Sequence, residues 1–216
     1  MSRHGLARHG GPRYGLVWFL TFSEDEIMGL NQLNVSIKGV SPLLLHNGQT
    51  ADPTNKYSRQ LKEVSGKRKK TDEDFAEMSR IEWHAGLYVN QQQKIIIPAR
   101  CIEASICEGA KKSKLGKAFK SSVFVLDDAV LDIGKKYGVA SDLWHDEQYR
   151  DIQGVRVGQS RVMRTRPIFF NWGIDFIVTY DDEQVNLADV RRAIVDAGSK
   201  SGLGDFRPRY GRFEVV

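Results

Sequence analysis

The residue types best suited to chemistry in this chain lie close together near its C-terminus, in residues 202–213. Glycine permits positive φ angles and lets backbone amides come close to an anion, and arginine neutralises phosphates. Aromatic rings stack on bases, at about 1–3 kcal/mol per base. The segment combines all three types: Gly202, Gly204, Phe206, Arg207, Arg209, Tyr210, Gly211, Arg212 and Phe213. This combination predicts a site for a single-stranded nucleic acid.

The same segment also suits a purely structural interpretation. A tight turn from a helix into a strand would use the glycines, leave the arginines in solvent and place Phe213 in the core. A nucleotide-binding P-loop is excluded, because no Gly-Lys-Ser/Thr follows and the predicted order is helix to strand. The sequence leaves the binding site and the structural turn open as alternatives.

The charge balance favours a polyanionic partner only weakly. The chain has 216 residues, with 32 basic and 27 acidic side chains, so its formal net charge is +5. Arginine is concentrated from Arg150 onward, where ten arginines accompany one lysine. Guanidinium groups favour planar, bidentate or stacking contacts, as with phosphates or bases. The candidate phosphate contacts in this half are Arg156, Arg161, Arg164 and Arg166, with ordinary exposed strand arginines as the alternative.

The two cysteines, Cys101 and Cys107, exclude a disulfide scaffold. Six positions apart in a predicted helix, they do not share a face, and they lack the spacing of a metal site. We therefore expect no metal, no cofactor and a reducing, cytoplasmic environment. No apolar run approaches the roughly 20 residues of a membrane span, so we expect no membrane contact.

Residues 1–27 differ from the rest of the chain. Basic residues among glycines precede the apolar run 16–22, a pattern that resembles a signal peptide. The run is short, and Ser23-Glu24-Asp25-Glu26 follows it in place of a cleavage site. We expect that Met28 is the natural start or that 1–27 form a loose extension. Mass spectrometry of the native protein tests this, and an N-terminus at Ser2 would contradict it.

Periodicity and capping residues predict the order of the helices and strands. Strands are predicted at 33–38, 94–97 and 122–130, as a hairpin within 149–165, and at 174–180 and 212–216. Helices are predicted at 71–84, at 99–112 after Pro98, and from Asn186 to a C-cap at Gly198. The polar segment 55–71 is predicted to be a long loop or an insertion.

The larger elements follow one another as β-α-β-β-α-β, which is the ferredoxin-like plan. We therefore predict an α+β fold in which an antiparallel sheet carries helices on one face. A single domain is expected over 28–216, with insertions at about 50–90 and 135–166.

Three pieces of the chain resemble the RAMP superfamily of CRISPR systems. The loop 202–213 resembles the glycine-rich loop of that family, and 33–48, with Ser41-Pro42-Leu43-Leu44, resembles its first strand and turn. Residues 95–112, from Ile95-Ile96-Ile97-Pro98-Ala99-Arg100 onward, resemble the approach to its first core helix. A glycine- and serine-rich string usual at this helix is replaced by 98–104, which indicates a divergent relative, such as one borne by a phage or mobile element.

The resemblance implies single-stranded RNA binding, in the manner of the backbone subunits that line up along a guide RNA. DNA stays open as the alternative strand. Carried over by position are the three loop glycines, Arg207, Arg209 and Arg100. Residues 55–70 and 140–166 would hold the finger and thumb elements, with Arg156, Arg161, Arg164 and Arg166 on phosphates. The expected partners are further copies of the chain or other subunits of a ribonucleoprotein.

Two routes to RNA cleavage are open in the sequence. An endoribonuclease would need a histidine as general acid or base near the backbone groove, and His46 and His84 are the candidates. The second route would use Asp52, in the loop after the first strand, although Asp-Pro also starts ordinary turns. We expect binding without cleavage. The alternatives are an endoribonuclease of the same fold and a phage protein that uses the fold for protein–protein assembly.

Overall fold

A computed structural model describes residues 30–216, apart from the Val157 side chain, and the expected extension 1–27 lies outside them. Within this range the protein is α+β with antiparallel sheets, as predicted. The strands are β1 (Asn31–Gly39), β2 (Leu43–Leu44), β3 (Ile96–Ile97), β4 (Val123–Val125), β5 (Ala129–Val130), β6 (Arg150–Val157), β7 (Ser160–Phe169), β8 (Gly173–Tyr180) and β9 (Phe213–Val215). The α-helices are α1 (Lys56–Ser65), α2 (Asp72–Gly86), α3 (Ala99–Lys111), α4 (Gly116–Ser122) and α5 (Leu187–Asp196). In this part of the chain, every helix falls short of the length and apolar character that a membrane crossing requires.

The central sheet has four strands in the order β4-β8-β1-β9, and each neighbouring pair is antiparallel. Side chains alternate between the two faces of a strand, so every second side chain of β1 faces the core. Val35 and Ile37 are buried and lie opposite Phe176 and Ile174 of β8. Their face of the sheet carries the hydrophobic core, to which α3 and α5 contribute.

The two core helices begin where the sequence predicts. Pro98 occupies the N-cap of α3, and Asn186 caps α5 by accepting a hydrogen bond from the Asp189 amide at 2.9 Å. Ile102 and Ile106 of α3 are buried in the core. Truncating such an isoleucine to alanine typically costs about 2–5 kcal/mol, so this packing fixes the position of α3.

The predicted C-cap of the last helix at Gly198 is wrong. The chain continues through a π-type turn over Ala197–Ser201, and Gly202, with a φ of 75°, ends it. Gly198 instead lies against β9, where an added Cβ would collide with the Phe213 carbonyl oxygen. The helical segment therefore leads directly into the glycine-rich loop.

The polar segment 55–71, predicted as a loop or insertion, contains helix α1. Asn55 caps this helix by accepting a hydrogen bond from the Tyr57 amide at 2.9 Å. No residue of α1 is fully buried, but the half-buried Tyr57, Leu61 and Val64 recur at helical spacing, so a local signal for this helix was present in the sequence. The next helix, α2, begins with the predicted capping box between Thr71 and Asp74, which is confirmed.

The single strand predicted over 122–130 is wrong. Helix α4 extends to Ser122, β4 follows it in the central sheet, and β5 pairs with β3 in a separate sheet. Between β4 and β5, the Asp128 carboxylate accepts a hydrogen bond from the Ala99 amide at 2.9 Å. This contact satisfies an amide at the start of α3, beside Arg100.

The predicted hairpin is confirmed as β6 and β7, which pair from Arg150 to Val157. The root of β7 also pairs with β2 and packs against α2. The Trp83 indole of α2 donates a hydrogen bond to the Tyr149 carbonyl oxygen at 2.6 Å, and this bond is buried. The hairpin thus forms one wall of a groove, and the glycine-rich loop forms another.

Candidate nucleic-acid interface

The glycine-rich loop, residues 202–212, is fixed to the segment that follows β1. The Gly211 amide donates to the Pro42 carbonyl oxygen at 2.8 Å, and the Asp205 amide donates to the Leu44 carbonyl oxygen at 2.7 Å. The Leu203 amide closes the loop on the Gly211 carbonyl oxygen at 2.8 Å. These bonds give the loop one defined shape.

Glycine is required in this loop for close packing. Gly204 and Gly211 have φ angles of 75° and 73°, which L side chains rarely adopt. An added Cβ at Gly204 would collide with the Leu44 carbonyl oxygen, and one at Gly211 would collide with that of Leu203. The Gly202 and Gly211 amides already donate within the protein, so these two amides are not available to a phosphate.

Two arginines from distant segments line one cavity, which we call the loop cavity. It has a volume of about 280 Å³, and its walls include Arg100 from the first turn of α3 and Arg207 from the loop. The Arg100 guanidinium carbon lies 5.8 Å from the centre of the Tyr88 ring. Among residues 30–216, neither arginine forms an ion pair with a carboxylate.

A second cavity, which we call the hairpin cavity, adjoins the first. It has a volume of about 390 Å³ and lies between α1, α2, the root of the hairpin and the glycine-rich loop. His46 and Asp205 line both cavities, so the two form one groove.

The arginines of the hairpin cavity are neutralised by acidic side chains. Arg164 is paired with Glu82. Arg166 lies between Asp151, at 3.2 Å, and Asp205, at 2.9 Å. These guanidinium groups therefore hold the hairpin against α2 and the loop, and they offer little free positive charge to a phosphate.

Arg156 and Arg161 lie near the tip of the hairpin, directly opposite each other in the register. Both side chains are exposed, and the Arg156 Nε donates to the Gly158 carbonyl oxygen at 3.1 Å. Like charges in facing positions of two strands repel each other. Neither residue lines the loop cavity or the hairpin cavity.

The aromatic residues of the loop separate into two groups. Phe213 is 5% exposed and packs near Trp172 in the core, as the structural interpretation predicts. Phe206 is 61% exposed, and its ring centre lies 6.0 Å from that of Tyr210. An exposed aromatic ring can stack on a base, although neither Phe206 nor Tyr210 lines the loop cavity. Arg209 and Arg212 are also exposed, and neither lines a cavity.

The three candidate catalytic residues lie in different surroundings. His46 is exposed where the two cavities meet. His84 lies against Trp83 and Trp144, donates from Nδ1 to the Arg80 carbonyl oxygen at 2.7 Å, and has its pKa lowered by burial.

Asp52 closes a turn ahead of α1. Its carboxylate accepts hydrogen bonds from the Thr54 hydroxyl at 2.7 Å and from the Thr54 amide at 2.8 Å. These bonds lower the pKa of Asp52, and the residue does not line the groove. Its geometry is that of the ordinary turn considered for the sequence.

The described residues do not favour cysteine or metal chemistry. Cys101 lines the loop cavity, but burial raises the pKa of its thiol, and a protonated thiol is a poor nucleophile. Within residues 30–216, no cluster of three histidine, cysteine or carboxylate side chains is arranged to hold a metal ion.

The acidic and aromatic side chains that lie beside the arginines of the groove were not predicted from the sequence. Asp205 lies inside the glycine-rich loop, so its position was visible, but its pairing with Arg166 depends on tertiary contact. Tyr88 and Glu82 have no local pattern that indicates a role. Comparison with models of known protein families and with curated protein sequences finds no match.

Proposed function

We propose that this chain is a divergent member of the RAMP superfamily that binds single-stranded nucleic acid, RNA by preference, without cleaving it. The proposed ferredoxin-like core consists of β1, α3, β4, β8, α5 and β9. Numbered within this core, the sheet order is second, third, first and fourth strand. That order supports the β-α-β-β-α-β plan, to which the helix α1 and the β6–β7 hairpin are insertions.

The convergence of Arg100 and Arg207 on the loop cavity carries this proposal. Two guanidinium groups from distant segments line one cavity, and neither has a carboxylate partner within residues 30–216. Free guanidinium groups bind phosphates with charge-assisted hydrogen bonds. Phe206 directly precedes Arg207 in the loop, and its exposed ring supplies a surface on which a base can stack.

The open face of the central sheet is a poorer candidate for phosphate binding. Lys38 of β1 lies opposite Glu214 of β9, and Ser36 lies opposite Asp175 of β8. Because positive and negative side chains lie next to each other on this face, it does not attract a polyanion. We therefore place the strand along the groove that contains the loop cavity.

The direct test is an equilibrium titration of a fluorescently labelled, single-stranded RNA at several salt concentrations. The double substitution Arg100→Ala and Arg207→Ala should weaken binding at least tenfold. It should also reduce the slope of log K against log salt by about 1.4, because each phosphate contact on a single strand contributes about 0.7. Sedimentation with RNAs of increasing length would show several copies per strand if the chain assembles as a backbone subunit.

The matched control removes two other arginines. Arg191 and Arg192 are exposed on α5 and line neither cavity, so Arg191→Ala with Arg192→Ala changes the net charge equally. We expect this control to bind within about threefold of the unsubstituted protein, as a non-specific charge effect would produce. Equal weakening by both double substitutions would contradict a defined site at the loop cavity.

Metal-independent RNA cleavage is the second candidate function, and the position of His46 favours it. The exposed imidazole lies where the two cavities meet, on the same groove as Arg100 and Arg207. A histidine there can remove the proton of a ribose 2′-hydroxyl. Cleavage of labelled RNA in the presence of a chelator, abolished by His46→Ala but retained by His84→Ala, would establish this activity. If the RNA stayed intact in this assay, the chain would bind RNA without cleaving it.

A further inference from the structure

A second group of cationic side chains lies at the opposite end of α3 from Arg100. Residues 109–126 contain five lysines and no acidic residue. Four of these lysines line an open depression of about 360 Å³ at the end of α3 and along α4, and we call this surface the lysine patch: Lys111, Lys114, Lys117 and Lys120. All four side chains are exposed, and in the described part of the chain only Lys111 is paired with a carboxylate. The patch therefore carries free positive charge, as the loop cavity does.

The packing of α4 holds these lysines together. Phe119 of α4 is fully buried, and Leu115 packs against the core just before this helix. Gly116 is buried against α3, where an added Cβ would collide with the side chain of Lys111. Like charges that are held close together repel each other, and a bound anion would relieve this repulsion.

Lys114 occupies a backbone position that favours glycine. Its φ is 64°, in the left-handed region, and it lies two residues after the C-cap Lys112 of α3. Glycine is the usual residue in this conformation at the end of a helix, because a Cβ is strained there. A lysine at this position strains the backbone and adds a charge to the patch, and such strain is concentrated at functional sites.

The exposed side of α3 connects the loop cavity with the lysine patch. Four residues recur at helical spacing and therefore share one face of α3: Arg100, Ala104, Glu108 and Lys111. A hydrogen bond from Lys111, and then the charges of Lys111 and Arg207, lower the pKa of Glu108, so this carboxylate lies between the loop and the patch.

One strand can contact both surfaces. At 1.5 Å per residue, Arg100 and Lys111 lie about 16 Å apart along the axis of α3. Neighbouring phosphates of a strand in a duplex are about 3.4 Å apart along its axis and are farther apart in an extended strand, so about six nucleotides are enough to span this distance.

The two sides of the loop cavity differ in charge. On the side of the hairpin, Arg164 and Arg166 are paired with carboxylates. On the side of the patch, Lys111 is paired with Glu108, but Lys114, Lys117 and Lys120 have no such partner within residues 30–216. A polyanion is drawn toward the more positive side.

We infer that the lysine patch is a second phosphate-binding subsite, which the strand reaches from the loop cavity along α3. The inference rests on the proposed function and adds to it the path of the strand and the length that one copy of the chain binds. A strand shorter than this path would contact the loop cavity or the patch, but not both.

Lys117→Ala with Lys120→Ala is the first test. Both residues belong to α4, and alanine is the best helix former, so folding should be retained. Binding of a single-stranded RNA of about 12 nucleotides should weaken at least about fivefold at about 0.1 M salt, and the slope of log K against log salt should fall by about 1.4.

Lys114→Gly separates binding from stability. Glycine relieves the left-handed backbone, and the substitution removes one of several like charges, so the melting temperature should stay the same or rise. Binding of the same RNA should nevertheless weaken about two- to fivefold, because one phosphate contact is lost. If the patch served only as a solvated surface, this substitution would leave RNA binding unchanged.

The matched control removes two lysines elsewhere. Lys135 and Lys136 are exposed in the segment after β5, and neither lines the groove or the lysine patch. Lys135→Ala with Lys136→Ala changes the net charge as much as the first test does. This control should bind the RNA within about threefold of the unsubstituted protein.

The outcomes separate this inference from the proposed function. RNA binding that depends on Arg100 and Arg207, but responds to the patch substitutions no more than to the control, would overturn the inference and leave the proposed function standing. A lack of RNA binding by the unsubstituted protein would overturn both. Sedimentation without RNA tests a different occupant: self-association that Lys117→Ala with Lys120→Ala abolishes, with RNA binding unchanged, would assign the patch to a second copy of the chain and overturn the inference.

Discussion

The loop cavity and the hairpin cavity use the same residue type for opposite purposes. Arg100 and Arg207 line the loop cavity without a carboxylate partner in the described chain, whereas Arg164 and Arg166 are ion-paired at the hairpin cavity. A free guanidinium group is available for a phosphate, while a group already paired with a carboxylate is committed to holding elements together. The surroundings of an arginine, rather than its presence in a basic stretch, decide what it can bind.

The largest expected difference between the two regions concerns stability. Arg166→Ala would leave the Asp151 carboxylate, which is 7% exposed, without its charge partner. Removing one partner of a buried ion pair costs about 3–5 kcal/mol. The free energy of unfolding, measured in urea, should fall by about that amount.

Arg207→Ala is the control for this measurement. Its side chain is exposed, has no carboxylate partner in the described residues and makes only a long hydrogen bond of 3.5 Å to the Gly202 carbonyl oxygen, so its removal should change the free energy of unfolding by less than about 0.5 kcal/mol. Comparable losses for Arg166→Ala and Arg207→Ala would show that the two cavities do not differ as the structure indicates.

The two histidines of the groove region also differ in their surroundings, because His84 is partly buried and His46 is exposed. The expected effect on stability is smaller than for the arginines. Burial lowers the pKa of His84 below its value of 6.5 in the unfolded chain, so the unfolded state binds the proton more tightly. The stability that the neutral imidazole contributes is present above pH 6.5 and decreases as the pH falls below it. His84→Gln should make the unfolding free energy less dependent on pH between about 7.5 and 5.5.

His46 supplies the comparison for that experiment. It is exposed at the groove, so His46→Gln should change the free energy of unfolding by less than about 0.5 kcal/mol. If the pH dependence of the unfolding free energy were the same in the His84→Gln variant, the packing against Trp83 and Trp144 would not lower the pKa of His84.

The smallest expected effect concerns the hairpin tip. Arg156 and Arg161 face each other, and replacing one of two facing like charges should stabilise the hairpin by about 0.2–1 kcal/mol. Arg161→Thr should therefore raise the melting temperature slightly at low salt, and the difference should shrink at high salt. A lower melting temperature at low salt would show that the two guanidinium groups do not repel each other in solution.

Local patterns predicted the parts of the fold whose signals are local. The cap residues Pro98 and Asn186 mark the starts of α3 and α5, and alternation marks β1 and the hairpin. Helix α1 was missed although Tyr57, Leu61 and Val64 recur at helical spacing, because polar and charged residues dominate the segment around them. The break between β4 and β5 was missed because Asp128 turns the chain toward Ala99, a contact that adjacent residues do not indicate.

The candidate site also contains features that the sequence reveals and features that only the folded chain reveals. The glycines, arginines and rings of residues 202–213 are visible in the sequence, and so is the turn that they permit. The ion pairs of Arg166 with Asp151 and Asp205 are not visible, because a carboxylate partner is defined by distance in space. The structural role of Phe213 was foreseen only as one of two alternatives.

The sequence by itself determined the composition of the glycine-rich loop, the starts of the core helices and the alternation of the strands, because these depend on neighbouring residues. Tertiary structure decided which arginines are free, since electrostatic interactions fall off with distance and depend on burial. It also brought Arg100 and Arg207 to the same cavity. Charge and hydrogen-bonding capacity belong to the residue, but only the folded chain determines whether another part of the protein has already used them.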